Sequence, residues 1–305
     1  MAAAPTRPAS RSAPVTAPPA TRREEPQMRA TKNLKNSADD GKKTVLAVGY
    51  PGSGKTTQIQ TLPGRKFGYI FDPNAHRSLA GLDIDYAEFL PTHMEMDLAV
   101  KTLKKGIGDA PSMKRLEPRV YEDWLSDFIA RCDAGFFDTI DWLVWDSFTT
   151  WAYSINDRLA WLNKRMGSQP QQDDWAAQIN HISNVWRVVS SLPCSIYCTA
   201  HMDPRKNDIT GRTYNHLMMT GQLRTRIPLL FSDIFVFHAN SDEQGPYFEI
   251  QTAPDRENPT VRTSVKGLSV FEDVTIDWSQ PTEGQGLAAI LRRKPVQAAQ
   301  QKGKH

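Results

Sequence analysis

Residues 49–56 constrain the fold of this chain more than any other segment. They are Gly-Tyr-Pro-Gly-Ser-Gly-Lys-Thr, which matches the phosphate-binding pattern of glycine, four residues, glycine, lysine and threonine. An apolar run at 44–48 precedes them, and residues 57–62 can begin a helix. Glycines let backbone N–H groups curve around phosphates, and the amino end of a helix favours negative charge. The segment therefore predicts a strand, a phosphate-binding loop and a helix.

This loop, named the P-loop below, carries two side chains with distinct predicted roles. Lys55 is expected to reach the outer phosphates of a nucleotide. The Thr56 hydroxyl is expected to ligate Mg²⁺, which keeps most of its water ligands and needs few from the protein. The predicted nucleotide-binding residues are Gly49, Pro51, Gly52, Ser53, Gly54, Lys55, Thr56 and Thr57.

Asp146 is the second predicted contact to the metal. A P-loop protein needs an acidic residue at the end of a neighbouring buried strand to fix the Mg²⁺ shell. Asp146 directly follows four apolar residues, in the sequence Leu-Val-Trp-Asp-Ser. A lone Asp after a strand also commonly caps the next helix. The P-loop upstream favours the metal role, and the capping alternative remains open.

Short apolar runs alternate with helical periodicity between residues 43 and 291, which predicts an α/β fold with a mostly parallel sheet covered by helices. The run at 140–145 is nearly continuous, as expected for a central strand buried on both faces. Apolar stripes at helical spacing, one of them Trp175, Ile179, Ile182, Trp186 and Val189, predict core-facing helices. The predicted strands are 44–48, 67–71, 140–145, 195–199, 234–237 and 247–252.

Both ends of the chain differ in composition from the middle. Residues 1–42 are rich in Pro, Ala and Arg and have almost no large apolar side chains, which predicts disorder, and residues 292–305 form a second basic tail. Residues 1–43 and 292–305 each carry a net charge of +5 against +3 for the whole chain, so the part between is net acidic. A grip on a polyanion would come first from the tails, and solubilising disorder is the alternative.

Cysteine content and hydropathy restrict the class of protein. Three cysteines are too few for a disulfide framework, and no secretory signal is recognised, which predicts the cytoplasm. No apolar run reaches the length of a membrane span, so we expect no membrane contact. Cys194, Cys198 and His201 could be zinc ligands, but the two cysteines straddle a predicted buried strand and no fourth ligand is evident.

The succession of motifs resembles a known family. A P-loop, then an apolar strand ending in Asp-Ser, then a helix and an apolar strand ending in a polar residue is similar to the RecA-type ATPase core. Thr-Ala-His at 199–201 and Gly-Gln-Leu-Arg-Thr-Arg-Ile-Pro-Leu-Leu-Phe-Ser-Asp at 221–233 resemble phage-type AAA-domain ATPases, including the Sak-group single-strand-annealing proteins. The resemblance covers about residues 42–275. It implies ATP and Mg²⁺ as cofactors and, if the gene is phage-encoded, the cytoplasm of a bacterial host.

The resemblance also implies a DNA-binding function. His201 stands where RecA-type proteins place a polar residue that senses the γ-phosphate and signals to a DNA-binding loop. Residues 202–220 would be that loop, with Arg205, Lys206 and Arg212 contacting phosphates of single-stranded DNA. A mobile surface loop and a histidine satisfied by backbone groups are the alternative. A single-strand-binding protein is a further candidate partner.

The catalytic base and the subunit arrangement follow the family less closely. RecA-type enzymes carry a glutamate just past the second strand, and Asn74 stands near that position. Asn can orient a water but cannot take its proton, so either Asp72 substitutes or hydrolysis is slow. The resemblance implies a homo-oligomer in which a basic side chain from a neighbour completes the site. The candidates for this trans finger are Arg224, Arg226, Arg262 and Lys266.

Together these features predict a phage-type RecA-like ATPase that hydrolyses ATP on single-stranded DNA in recombination, annealing or repair, with Lys55, Asp146, Asp72 and His201 as its catalytic residues. One alternative is a nucleotide-gated annealing protein in which hydrolysis is incidental. Another is a small-molecule P-loop kinase, because Gly-Lys-Thr-Thr also occurs in nucleotide kinases. No arginine-rich lid segment is evident in the sequence, which argues against the kinase.

Overall fold

A central β-sheet organises the part of the chain that the computed structural model describes, which is residues 41–293 without residues 74, 92–116, 167, 207, 209, 220 and 244. Nine strands form it: β1 Thr44–Gly49, β2 Lys66–Ile70, β3 Asp85–Glu88, β4 Trp142–Asp146, β5 Ser195–Lys206, β6 Thr213–Leu217, β7 Asp233–Asp242, β8 Gly245–Gln251 and β9 Phe271–Asp273. Their order is β3-β2-β4-β5-β1-β7-β8-β9, and β6 pairs with the outer part of β5.

The first six strands of that order run parallel, and β8, β9 and β6 are antiparallel to their partners. Six α-helices lie in the same part of the chain: α1 Ala75–Leu79, α2 Val120–Asp133, α3 Phe148–Leu162, α4 Gln172–Ser191, α5 Leu223–Arg226 and α6 Gly286–Leu291. Three short 3₁₀ helices accompany them: Thr56–Thr61, Phe136–Thr139 and Ile227–Leu230. No helix in this part of the chain is long and apolar enough to cross a membrane.

Helices cover both faces of the parallel strands, and each face has its own core. One core joins the sheet to α2, α3 and α4 and contains Trp124, Trp145, Trp151 and Trp186, all fully buried. The other joins the opposite face to the P-loop helix, α1 and α6. Alternate residues of β4 enter the two cores, which explains why its sequence is apolar without a break.

The predicted α/β fold is confirmed, and each of the six predicted strands is present. The predicted helix after the P-loop is a short 3₁₀ helix, Thr56–Thr61, which ends just before Pro63-Gly64. Asp146 ends the buried strand β4, as predicted, and β5 lies between β4 and β1. The loop predicted at 202–220 was wrong over most of its length, since β5 continues to Lys206 and pairs with β6.

Two other predictions concern the helices and the chain ends. Ile182, Trp186 and Val189 are buried in the core as expected, whereas Trp175 and Ile179 are only half-buried. The predicted tails, 1–42 and 292–305, lie almost wholly outside the described residues and stay predictions. The sheet and its covering helices lie within the predicted domain, 43–291, whose bounds stay a prediction.

Candidate nucleotide-binding site

The candidate site lies where β1, β4 and β5 end, at the carboxyl edge of the parallel sheet. Gly49, the last residue of β1 and the first of the P-loop, pairs with His201 of β5. Asp146 is the last residue of β4, and its neighbour on β5 is Thr199. Because β5 lies between the other two strands, its side chains contact both the P-loop and Asp146. Ligands of open α/β sheets commonly bind at this edge.

Backbone geometry explains the glycines of the P-loop. Gly54 has a φ of +88°, which side chains other than glycine rarely adopt, and a Cβ there would lie 2.9 Å from the Phe248 ring. A Cβ on Gly49 would lie 2.9 Å from the Phe237 carbonyl oxygen. The loop is therefore packed closely against β7 and β8.

Lys55 folds back onto its own loop. Its Nζ donates to the carbonyl oxygens of Gly49 and Tyr50, at 2.9 and 2.8 Å, and to Ser53 Oγ at 3.3 Å. Burial lowers the pKa of Lys55 to about 8, and the charges of Asp146 and Asp72 oppose this shift. An ammonium group held by neutral oxygens at the floor of the loop is well placed to pair with an incoming phosphate.

Thr56 and Asp146 provide two adjacent oxygen ligands of the kind that Mg²⁺ prefers. Thr56 Oγ1 donates to Asp146 Oδ2 at 3.1 Å, and Thr199 Oγ1 donates to Asp146 Oδ1. Burial raises the pKa of Asp146, and hydrogen bonds from Thr199 and Thr56 together with Lys55 only partly oppose this shift. A divalent cation would supply the charge that this buried carboxylate lacks, so the two residues fit a bound Mg²⁺.

Asp72 and His201 form a second polar cluster beside the metal ligands. Asp72 accepts hydrogen bonds from His201 Nε2 at 3.0 Å, from Ser147 Oγ at 2.8 Å and from Thr150 Oγ1. Burial alone would raise the pKa of Asp72, but these three donors outweigh it and lower the pKa. The carboxylate is thus ionised and largely saturated with hydrogen bonds. Ser147 also caps α3 by accepting from Thr150 N, and the Asp146–Ser147 peptide bond is cis.

These groups surround one cavity of about 170 Å³. It is lined by Pro51, Gly52, Gly54, Lys55, Thr56, Thr57, Asp72, Ser78, Asp146, His201 and Phe248. The four predicted catalytic residues, Lys55, Asp146, Asp72 and His201, therefore share one cavity with most of the predicted nucleotide-binding residues. Gly49 and Ser53 lie at its base, where Ser53 is buried against Lys55.

The model of a protein family described as "AAA domain" matches residues 41–259, which is more than half of the chain. The chain belongs to this family. No curated protein sequence matches it. Similar solved structures include the flagellar accessory protein FlaH from Methanocaldococcus jannaschii, at 10% identity over 77% of this chain and 85% of that chain, with a TM-score of 0.33. A KaiC-like protein from Pyrococcus horikoshii OT3 is 12% identical over 77% and 86%, with a TM-score of 0.35.

The family match and the P-loop cavity together identify an ATPase domain of the AAA type. In this AAA domain the nucleotide cavity is compact, whereas the residues predicted for DNA lie on the β5–β6 hairpin, residues 202–217. Arg205 lies near the carboxyl end of β5 and pairs with Asp203 at 2.6 Å. Lys206 and Arg212 are exposed. Asn74, near the expected glutamate position, lies outside the described residues.

The trans-finger candidates occupy two places in the AAA domain. Arg262 lies at the amino end of β7, opposite the P-loop edge, where it donates to the carbonyl oxygens of Pro228 and Phe231. Lys266 is exposed in the segment that follows it. Arg224 and Arg226 belong to α5 and line a groove against α4 rather than the nucleotide cavity. A role in a neighbouring subunit stays a prediction for all four.

Sequence reasoning missed several residues that line the cavity of this AAA domain or contact its lining residues. Thr199 bonds Asp146, and the Tyr197 hydroxyl donates to the Lys55 carbonyl at 2.7 Å. The alternation of side chains along β5 could have indicated both, because Thr199 and Tyr197 are two residues apart and share one face of that strand. Phe248 carried no local signal, because it reaches the P-loop only through the β7–β8 hairpin. Among the described residues no group of three or more His, Cys, Asp or Glu side chains is placed to hold a metal ion.

Proposed function

We propose that this ATPase domain hydrolyses ATP with Mg²⁺ to alternate between tight and weak binding of single-stranded DNA, in phage recombination, annealing or repair. The observation that carries the proposal is the continuity of β5. Thr199 bonds Asp146 in the nucleotide cavity, His201 bonds Asp72 two residues later, and the same strand continues to Arg205 and Lys206. A change at the nucleotide therefore has a direct covalent route to a basic hairpin.

His201 is the residue best placed to begin such a change. Its Nε2 donates to Asp72, but its Nδ1 is buried and has no hydrogen-bond partner among the described residues. A buried polar atom without a partner costs free energy. Rotation of the ring toward a γ-phosphate would give it a partner and would release one of the three donors on Asp72. The nucleotide state would then determine the conformation of β5 where the hairpin begins.

The hairpin offers groups suited to single-stranded DNA. Arg205, Lys206 and Arg212 provide positive charge, and the rings of Tyr214 and His216 lie 4.6 Å apart at an edge-to-face angle. Proteins that bind single strands combine positive charge along the backbone with aromatic rings for the bases. The proposal includes assembly of several copies on the DNA, action in the cytoplasm of a bacterial host, and contact with a single-strand-binding protein.

A second candidate function is a nucleotide-gated DNA-annealing protein in which hydrolysis is incidental. The saturated Asp72 carboxylate favours it, because a group that already accepts three hydrogen bonds and has a lowered pKa is a weak base. Both candidates bind ATP and DNA. They differ in turnover, since the second requires nucleotide-dependent DNA affinity with very slow hydrolysis.

Steady-state ATP hydrolysis, with Mg²⁺ and with or without single-stranded DNA, tests the proposal. We would compare wild type with Lys55→Ala and Asp146→Asn, using the exposed residues Arg187→Ala and Asp133→Asn as charge-matched controls. We expect DNA to stimulate hydrolysis in wild type and both controls and in neither site variant. If ATP binds while DNA changes neither hydrolysis nor nucleotide affinity, the proposed action on DNA is wrong.

A further inference from the structure

A second concavity, distinct from the nucleotide cavity, lies between the first half of α4 and the turn that leads into α5. It is a groove of about 660 Å³. We name it the α4–α5 groove; its walls include Gln172, Trp175, Ile179, Gln222, Arg224 and Arg226. The lining of the groove combines an indole and aliphatic side chains with two guanidinium groups and several amides, a combination that an enclosed apolar core would not contain.

Trp175 is the unusual member of this set. Other tryptophans of the domain, such as Trp124 and Trp186, are fully buried and contact several aromatic rings. Trp175 is only half-buried, and no ring contact joins it to another aromatic side chain of the described residues. It lies between Gln172 and Ile179 on one face of α4, at helical spacing, and the same face continues to Ile182 and Trp186, which are buried in the core. The helix thus presents an indole to the groove.

Two arginines give the opposite wall a positive charge. Arg224 Nε donates to the Met219 carbonyl at 2.7 Å, which holds its guanidinium at the groove. Arg226 is exposed and has no ion pair with any described acidic side chain. The first turn of α4 carries two acids. Asp174 is buried and already bonded to Arg165 at 2.7 Å and to Asn163, and Asp173 is exposed and forms no ion pair with either arginine among the described residues. Neither acid therefore pairs with the two arginines.

The groove adjoins the β5–β6 hairpin. Burial lowers the pKa of His216 on β6, and the positive charges of Arg224 and Arg205 lower it further, while Asp203 opposes them. Arg224 is therefore close enough to the hairpin for its charge to act there. A ligand with repeated negative charges could contact Arg205 and Arg224 in succession and then enter the groove.

We propose that the α4–α5 groove binds single-stranded DNA, with a base stacked on Trp175 and backbone phosphates bound by Arg224 and Arg226. The inference rests on the proposed action on single-stranded DNA and assigns that DNA a place. A stacking ring beside guanidinium groups is the arrangement that single strands use, because every base has a flat face and every link a phosphate. The amides of Gln172 and Gln222 can bond base edges or phosphates.

Fluorescence anisotropy of a labelled oligothymidine tests the groove, with a duplex of equal length as a second probe. Trp175→Ala should weaken binding of the single strand about 5- to 150-fold, the range for losing one stacked base. The duplex should be affected little, because its bases are already stacked. Trp175→Phe, which keeps a smaller ring, should restore part of the affinity. Trp278→Ala, at a tryptophan that is 65% exposed, is the matched control.

Salt dependence separates the two kinds of contact. Arg226→Gln should reduce the slope of log affinity against log salt by about 0.7 for one lost phosphate contact, and Trp175→Ala should leave that slope unchanged. Thermal unfolding of each variant reports folding. If wild type binds the single strand and Trp175→Ala binds it as tightly as Trp278→Ala does, the groove assignment is wrong while the proposed function stands. If wild type binds no single strand in any nucleotide state, both are wrong.

Discussion

Lys55 carries its charge at an energetic cost when no nucleotide is bound. Its side chain is almost completely buried, and burial lowers its pKa from 10.5 to about 8. In the unfolded chain the same group keeps its proton up to about pH 10.5. Between pH 8 and 10.5 the unfolded state therefore binds more protons than the folded state, and the free energy of unfolding rises with pH in that window. Below pH 8 the cost is fully present.

Replacing Lys55 should remove this pH dependence. We expect Lys55→Met to lack the increase in the free energy of unfolding between pH 8 and 10.5, an effect of at most about 3 kcal/mol for a shift of this size. Urea unfolding of wild type and Lys55→Met at pH 7.5 and 10, without nucleotide, measures the difference. Other groups that titrate in this range are common to both proteins and cancel. Lys266→Met, at an exposed lysine, should keep the wild-type dependence; parallel curves for wild type and Lys55→Met would contradict the assignment.

Asp72 is the only carboxylate beside Asp146 among the residues that line the nucleotide cavity, and its role in hydrolysis depends on His201. Removing the imidazole takes away a hydrogen bond and a charge that lower the pKa of Asp72. If Asp72 is the general base, His201→Ala should move the acid limb of the kcat profile to higher pH. Asp72→Asn should lower kcat about 10²- to 10⁴-fold while ATP still binds. The control is His76→Ala, because His76 pairs with Glu88 outside the cavity. Wild-type turnover by Asp72→Asn would exclude Asp72 as the base.

At the scale of elements, burial decided what the sequence could predict. Strands such as β1 and β4 are apolar on both faces, so their runs were recognisable, and the P-loop and Asp146 followed from the same pattern. The outer half of β5 and β6 were predicted as a loop because their residues are mostly polar, with Pro204 in the middle, and they pair outside the main sheet. Local sequence does not determine strand order either, so the place of β5 between β1 and β4 could not be predicted.

The hairpin has a second contact with the P-loop that the sequence could not predict. The Tyr50 hydroxyl donates to Asn215 Oδ1 on β6 at 3.2 Å, and Asn215 Nδ2 donates to Asn258 Oδ1 at 3.0 Å. Asn258 in turn donates to Gln251 on β8 at 2.8 Å. Hydrogen-bonded side-chain amides thus connect a P-loop residue, through β6, to β8 of the sheet. If Tyr50 moves when a nucleotide binds, its hydrogen bond to Asn215 would transmit that movement to the hairpin.

Tyr50→Phe should weaken this coupling with little effect on nucleotide binding, because Tyr50 acts through its hydroxyl and is not a lining residue of the cavity. A neutral hydrogen bond contributes about 0.5–1.5 kcal/mol. We therefore expect the ratio of DNA affinities with and without nucleotide to fall about 2- to 12-fold. Titrations of labelled single-stranded DNA with and without ATP analogue measure that ratio for wild type, Tyr50→Phe and the control Tyr86→Phe, at an exposed tyrosine of β3. An unchanged ratio would show that the hairpin responds only through His201.

At the scale of the whole molecule, charge is distributed unevenly along the chain. Residues 1–43 and 292–305 are each net +5, while the part between them, which contains the ATPase domain, is net acidic. In the proposed action on DNA, the domain would offer positive charge only locally, at the hairpin and at the α4–α5 groove, against an overall repulsion. Added cations outside the domain would raise the affinity for any polyanion, and their effect would weaken as salt rises.

Deleting residues 1–40 and 294–305, separately and together, tests whether those cations contact DNA. These limits keep Lys42, which donates to the carbonyls of Ser190 and Leu192, and Arg293, which pairs with Glu272 at 2.7 Å, so these contacts of the domain are retained. The deletions remove seven and three Lys or Arg residues. If three of these bind phosphates, the slope of log affinity against log salt should flatten by about 2.

The deletions should also differ from the groove variants in one respect. A tail that binds phosphates should affect single strands and duplexes alike, because it reads only the backbone, whereas Trp175→Ala should act on single strands alone. Hydrolysis without DNA should be unchanged in the deletions, since the nucleotide cavity is formed by residues 51–248. An unchanged salt slope in the double deletion would mean that the tails serve some purpose other than DNA binding, and that the domain alone overcomes its own negative charge.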